Sequence, residues 1–170
     1  INLVSVATTS DLAFIEGVLG RTPTEDEIEP GNLFFGELGR SLPAHVYLQS
    51  EQWMHAYTRR VEAWWHAADD GTPGFDLLVS PVLGGPPPPI GYLSDPEQGL
   101  QRVIDLLQYT AQFNITGQPA VSLPLHWTAD GLPVGVQLVA AYGREDLLIR
   151  VAAQLEQAQP WTDRIPPVHA

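Results

Sequence analysis

Apolar positions in the segment 113–142 follow a pattern that predicts two paired strands. Val121, Leu123 and Leu125 fall on one alternation of the run 119–125, and the run 133–140 is apolar almost without interruption, as in a strand covered on both faces. Asp130-Gly131 lies between them and predicts a turn, because Gly accepts positive φ without steric penalty and Asp can bond its own backbone. Pro124 has no N–H to give to a ladder, so its strand should be bulged or lie at a sheet edge there.

The remaining elements are mostly helical in period. Ser10-Asp11 can cap a short helix carrying Leu12, Ile15 and Leu19, which Gly20 would close. Thr22-Pro23-Thr24-Glu25 offers a capping box, and Glu29 before Pro30 marks a boundary ahead of a second short helix over 32–42. The longest helical stretch is 44–69, with Leu48, Tyr57, Val61 and Trp64 on one face, stopped by Gly71-Thr72-Pro73-Gly74. A strand over 75–82 follows, then Gly84-Gly85 and four consecutive prolines, which read as a rigid extended connector. Asp95-Pro96-Glu97-Gln98 predicts a helix start, and Leu100, Val103, Ile104 and Leu107 give that helix, 95–113, its apolar stripe. A last helix over 145–159 carries Leu147, Leu148, Val151, Ala152 and Leu155 and ends at Pro160, ahead of a Pro-rich extended tail. The fold class is α/β, with about three core strands, few for a self-contained layer. Sequence outside these residues would complete the sheet.

Composition narrows the partners. A 170-residue chain that is 44% apolar can bury one substantial core. Twenty acidic residues against eight basic ones give a net charge of -12, which disfavours nucleic acid and anionic lipid surfaces. There is no cysteine, hence no disulfide and no thiolate ligand. No run approaches the roughly 18 apolar residues of a membrane span, and the N-terminus lacks a signal-peptide layout. The expectation is a cytoplasmic protein; the start at Ile1 rather than Met reads as a trimmed or mature piece.

The order Phe113-Asn114-Ile115-Thr116-Gly117-x-Pro119-Ala120-Val121-Ser122-x-Pro124, then Asp130-Gly131-Leu132-Pro133-Val134-Gly135-x-Gln137-Leu138, then a helix from Asp146-Leu147-Leu148, resembles the C-terminal end of an amidase signature family enzyme. Phe75-Asp76-Leu77-Leu78-Val79-Ser80-Pro81 resembles the family's preceding core strand. Residues 1–170 would then be the C-terminal portion of a single amidase domain, mainly helical over 1–70, with core strands and covering helices over 75–170. The resemblance implies hydrolysis of a small-molecule carboxamide by a Ser, cis-Ser, Lys triad, with no metal and no organic cofactor. It also implies a partner, the missing N-terminal catalytic part of the same polypeptide; a homo-oligomer stays open. Two rival readings are an amidotransferase A-subunit-like piece and a free-standing binding or assembly domain.

The catalytic residues should lie elsewhere. The chain has no lysine, its eight basic residues all being arginine, and arginine keeps its proton and cannot act as the base of such a triad. Ser122, His126 and Asp130 have the residue types of a triad, yet four strand residues span about 13 Å, against the roughly 3 Å that a nucleophile and base require. His55 and His66, with Asp69 and Asp70, are about three helical turns apart, too far to share an ion. Trp53, Trp64 and Trp65 could form an aromatic surface, but neighbouring tryptophans on a helix diverge, so at least one should pack inside. In enzymes of this family the loop after the Ser-Pro strand, here Pro81, Val82, Leu83 and Gly84, lies near the substrate cleft. So does the Asn-x-Thr-Gly segment, here Asn114, Ile115, Thr116 and Gly117. These are the expected substrate-binding residues; the alternative is that Asn114 and Thr116 only cap the preceding helix.

Overall fold

A computed structural model describes residues 1–24, 26–69, 71–95 and 97–165. Glu25, Asp70, Pro96 and the Pro-rich end of the tail, all named above, lie outside the described residues. The chain forms two compact units, Ile1–Tyr57 and Thr58–Ala170.

The first unit holds helix α1 (Asn2–Leu19), helix α2 (Pro30–Ser41) and the start of helix α3 (Ala44–Trp65). Helix α1 begins well before the expected cap at Ser10-Asp11, which sit exposed in mid-helix. Packing decides this: Ser5 and Leu12 are buried, and α1 and α2 approach so closely that a Cβ on Gly39 would lie 2.2 Å from Ser5 O. The Thr9 hydroxyl meets Gly36 O across the same seam at 2.8 Å. Such contacts outweigh the modest helix propensity of the Thr8-Thr9-Ser10 stretch. Gly20 closes α1 as expected, left-handed with its N–H on Glu16 O, and Pro30 opens α2 directly after Glu29. The expected box rests on Glu25 and so lies outside the described residues; beside it, Glu27 accepts from the Thr24 N–H at 2.9 Å while pairing with Arg21 at 2.8 Å.

The second unit is built on a three-stranded sheet: β1 (Leu78–Pro81), β2 (Ala120–Trp127) and β3 (Pro133–Val139), in the order β1-β3-β2 with both pairings antiparallel. The near-continuous apolar run is thus the central strand. On one face Leu123, Leu138 and Ala140 pack against Leu148 of helix α6 (Glu145–Ala158), and on the other Val139 packs with Trp65 and Phe113. The expected strand 75–82 is shorter because its start belongs to another contact: Phe75 stacks on Trp64 at 4.2 Å and gives its N–H to Trp65 O.

Pro124 has both expected consequences: β2 is an edge strand of this sheet, and its register slips after Pro124, which faces Gly135 while His126 faces Val134. The extra residue, Leu125, has its carbonyl held by the Gln159 side chain at 2.9 Å. The turn that follows is tied by Thr128 and Leu132, with Gly131 at φ 87.

The expected helix 95–113 is two helices, α4 (Gly99–Leu107) and α5 (Ala111–Thr116). Asp95 does its part, accepting the N–H groups of Gln98 at 2.9 Å and Glu97 at 3.0 Å, and these bonds, with Arg102 nearby, hold its pKa below the usual carboxylate value. The break comes at Tyr109, whose carbonyl accepts the Gln137 side chain at 3.0 Å.

Candidate functional site

Pro81 ends β1 exposed, and Val82 and Leu83 continue half-buried into the loop. That loop is fixed at Gly84, which donates its N–H to Leu106 O at 3.1 Å and sits so near α4 that a Cβ on it would lie 2.4 Å from Asp105 O. Its other anchor is the sheet, where Gly135 of β3 leaves room for the Val82 side chain. The second expected segment forms the end of α5 and its cap. Asn114 and Ile115 are exposed mid-helix, Thr116 is buried at the last turn, and Gly117 closes the helix at φ 81 with its N–H on Phe113 O. Asn114 is therefore not a cap. Both segments lie on the face of the sheet opposite α6, one against Gly135 and the other, through Phe113, against Val139. These anchors are about 13 Å apart along β3.

Two buried glutamines organise this face. Gln137, 5% exposed, sends its amide N–H groups to Ser80 Oγ at 2.9 Å and Tyr109 O at 3.0 Å, joining β1, β3 and the α4–α5 junction. Gln118, also buried, accepts from the Thr116 hydroxyl and donates to Glu62 at 3.1 Å, and Glu62 in turn faces His66 at 3.2 Å. Sequence reasoning passed over both. A polar residue inside the apolar run 133–140 was the available signal for Gln137, since a buried amide demands partners.

The bulge separates the Ser122 and His126 side chains, because Ser122 pairs with Gln137 and His126 with Val134, positions of opposite parity on β3. No triad forms from them. Among the described residues no group of three His, Asp or Glu side chains gathers as a metal site would. Trp65 is buried as one of the tryptophan pair should be, whereas Trp64 is 42% exposed and Trp53, stacked on Tyr57, is 56% exposed. No helix among the described residues is long and apolar enough to cross a membrane.

A groove of ≈ 490 Å³ runs between the free edge of β2 and α6, lined by Ala120, Val121, Leu148, Ile149 and Ala152, with Glu156 at its side. None of the expected substrate residues lines it. Its apolar floor beside the outer edge of β2 suits chain-to-chain packing better than a small polar amide.

Comparison with known proteins fits this architecture. The Amidase family model matches residues 10–149. The chain is 39% identical over 158 residues to the 6-aminohexanoate-cyclic-dimer hydrolase of Paenarthrobacter ureafaciens, covering 88% of this chain and 31% of that protein. An acylamidase of Rhodococcus erythropolis is 34% identical over 96 residues, 54% of this chain and 20% of its own length. The solved structure of 6-aminohexanoate cyclic dimer hydrolase superposes with a TM-score of 0.83 at 37% identity, over 96% of this chain and 34% of that one. The chain thus spans about a third of the length of these two hydrolase matches. With the family model matched over residues 10–149, and the Asp-Gly turn and following helix in the order read from the sequence, this chain belongs to the amidase family, the amidase signature enzymes.

Proposed function

We propose that the chain is the C-terminal portion of an amidase that hydrolyses a carboxamide to a carboxylate and an amine, and that it supplies scaffold and substrate wall rather than the reacting groups. In the reaction a serine of the remaining polypeptide attacks the amide carbonyl, a second serine relays the proton to the departing amine, and water releases the acyl group, with lysine as the base. The observation that carries this is the family match over residues 10–149 in a chain without lysine. Pro81, Val82 and Leu83 form one side of the cleft, and Asn114, Ile115, Thr116 and Gly117 the other. Asn114 is the exposed amide of this set, able to donate to and accept from a substrate amide.

The substrate class is aliphatic amides, cyclic ones included. The 39% identity to a cyclic-dimer hydrolase over 88% of this chain supports this, as do the apolar side chains of Val82, Leu83 and Ile115. The enzyme works in the cytoplasm without metal or organic cofactor. The remaining polypeptide completes the sheet beside β2 and covers the groove against α6.

The test is an assay of the full-length polypeptide with a linear aliphatic carboxamide, an aryl acylamide and the cyclic dimer of 6-aminohexanoate, following amine release. Hydrolysis with the highest kcat/KM on an aliphatic amide is expected. Failure to cleave any of the three overturns the proposal.

A further inference from the structure

We infer that Gly135 is a positioning residue for the substrate wall at Val82 and Leu83; the inference rests on the proposed reading of those two residues as wall. Gly135 lies on the central strand opposite Pro124. A Cβ built on it would lie 2.8 Å from Ser122 Oγ, 2.9 Å from Val82 Cγ2 and 3.4 Å from Val82 Cβ. The first two separations are under 3.0 Å, so a methyl group there forces a neighbour to move. Ser122 is exposed, and its hydroxyl can turn to another staggered rotamer. Val82 is half-buried, and its β-branched side chain is stiff about χ1, so it yields less readily than Ser122 and passes part of the displacement to its backbone.

The other end of the loop limits where that backbone can go. Gly84 is held to Leu106 O by its N–H at 3.1 Å and lies against Asp105 O, where a Cβ would be at 2.4 Å. Val82 and Leu83 are therefore held between two contacts made by bare backbone, one with β3 and one with α4. The absence of a side chain at Gly135 sets how close the wall stands to the sheet, and so where the facing substrate surface lies. Contacts of this kind act on bound substrate in ground and transition state alike, so their disturbance appears in KM rather than in kcat.

The experiment is a double-mutant cycle in the full-length polypeptide, measuring kcat, KM and the thermal midpoint for Gly135→Ala, Val82→Ala and the pair together, with Leu83→Ala as a separate probe of the wall. Gly135→Ala is expected to raise KM on the order of tenfold with kcat little changed, as for loss of a contact made equally in ground and transition state. In the Val82→Ala background the same substitution should leave KM where Val82→Ala alone puts it, because no γ-methyl remains to be pushed. If Gly135→Ala does not fold, the pair decides: a folded double variant with the KM of Val82→Ala supports the inference, and an unfolded one or a further rise in KM overturns it. A KM effect of Gly135→Ala that persists without the Val82 methyls also overturns it, as does an unchanged KM when Val82→Ala raises it. Unchanged KM in both Val82→Ala and Leu83→Ala refutes the wall itself.

Discussion

Gln137 donates to Ser80 Oγ at 2.9 Å from the middle of the central strand, and its second amide proton goes to Tyr109 O at 3.0 Å. One side chain thereby fixes the strand that leads into Pro81 and the helix break that leads into α5. Replacing Gln137 by Leu leaves the Tyr109 carbonyl and the Ser80 hydroxyl without this partner. It should destabilise the intact protein by about 1–3 kcal/mol, measured as a shift in the denaturant midpoint. An unchanged midpoint would show that water replaces the amide at no cost.

Gly117 closes α5 at φ 81, and a Cβ there would only touch the Tyr142 ring at an ordinary 3.6 Å. The cost of Gly117→Ala is therefore conformational, about 1–2 kcal/mol. Gly117→Asn should cost less, because Asn tolerates the left-handed region. Equal losses for the two variants would point to packing instead.

Leu138 is 4% exposed and packs with Leu123, Ala140 and Leu148 where α6 covers the sheet. Leu138→Ala should lower stability by about 2–5 kcal/mol, and more than Val79→Ala on the neighbouring strand, a residue that is 61% exposed. Denaturant titration of the two variants side by side checks the ordering.

Glu27 has its pKa lowered from 4.5 to about 2, first by the hydrogen bond from Arg21 and then by the Thr24 N–H. A depressed carboxylate pKa contributes stability above the unfolded value that is lost as pH falls through the folded one. The contacts of Glu27 with Arg21 and Thr24 should therefore loosen between pH 4.5 and about 2. Carboxyl NMR titration of Glu27 reads this directly, and Arg21→Ala should move its midpoint back toward 4.5.

What was legible in the sequence was local. The alternation around Val121 and Leu123, the Asp130-Gly131 turn and the chain-breaking Pro124 fixed the strand pair, its turn and its irregularity, since each acts within a few residues. The boundary at Glu29-Pro30 and the amide-accepting role of Asp95 ahead of α4 were legible for the same reason. The early start of α1 was not, because it depends on Gly36 and Gly39 of another helix. Nor was the break at Tyr109, whose carbonyl bonds a glutamine distant in sequence. The wall residues came from the family resemblance. Why Val82 can approach the sheet at all is a matter of Gly135, which no periodicity marks.

The central claim is that this chain carries walls and scaffold while the reacting groups lie in the rest of the polypeptide. The most direct measurement is amine release from an aliphatic amide by the 170-residue chain and by the full-length polypeptide at equal molar concentration. Turnover by the full-length polypeptide alone is the expected result. Turnover by the 170-residue chain on its own would contradict the claim, because a lysine-free chain would then be carrying out the chemistry assigned to a lysine base.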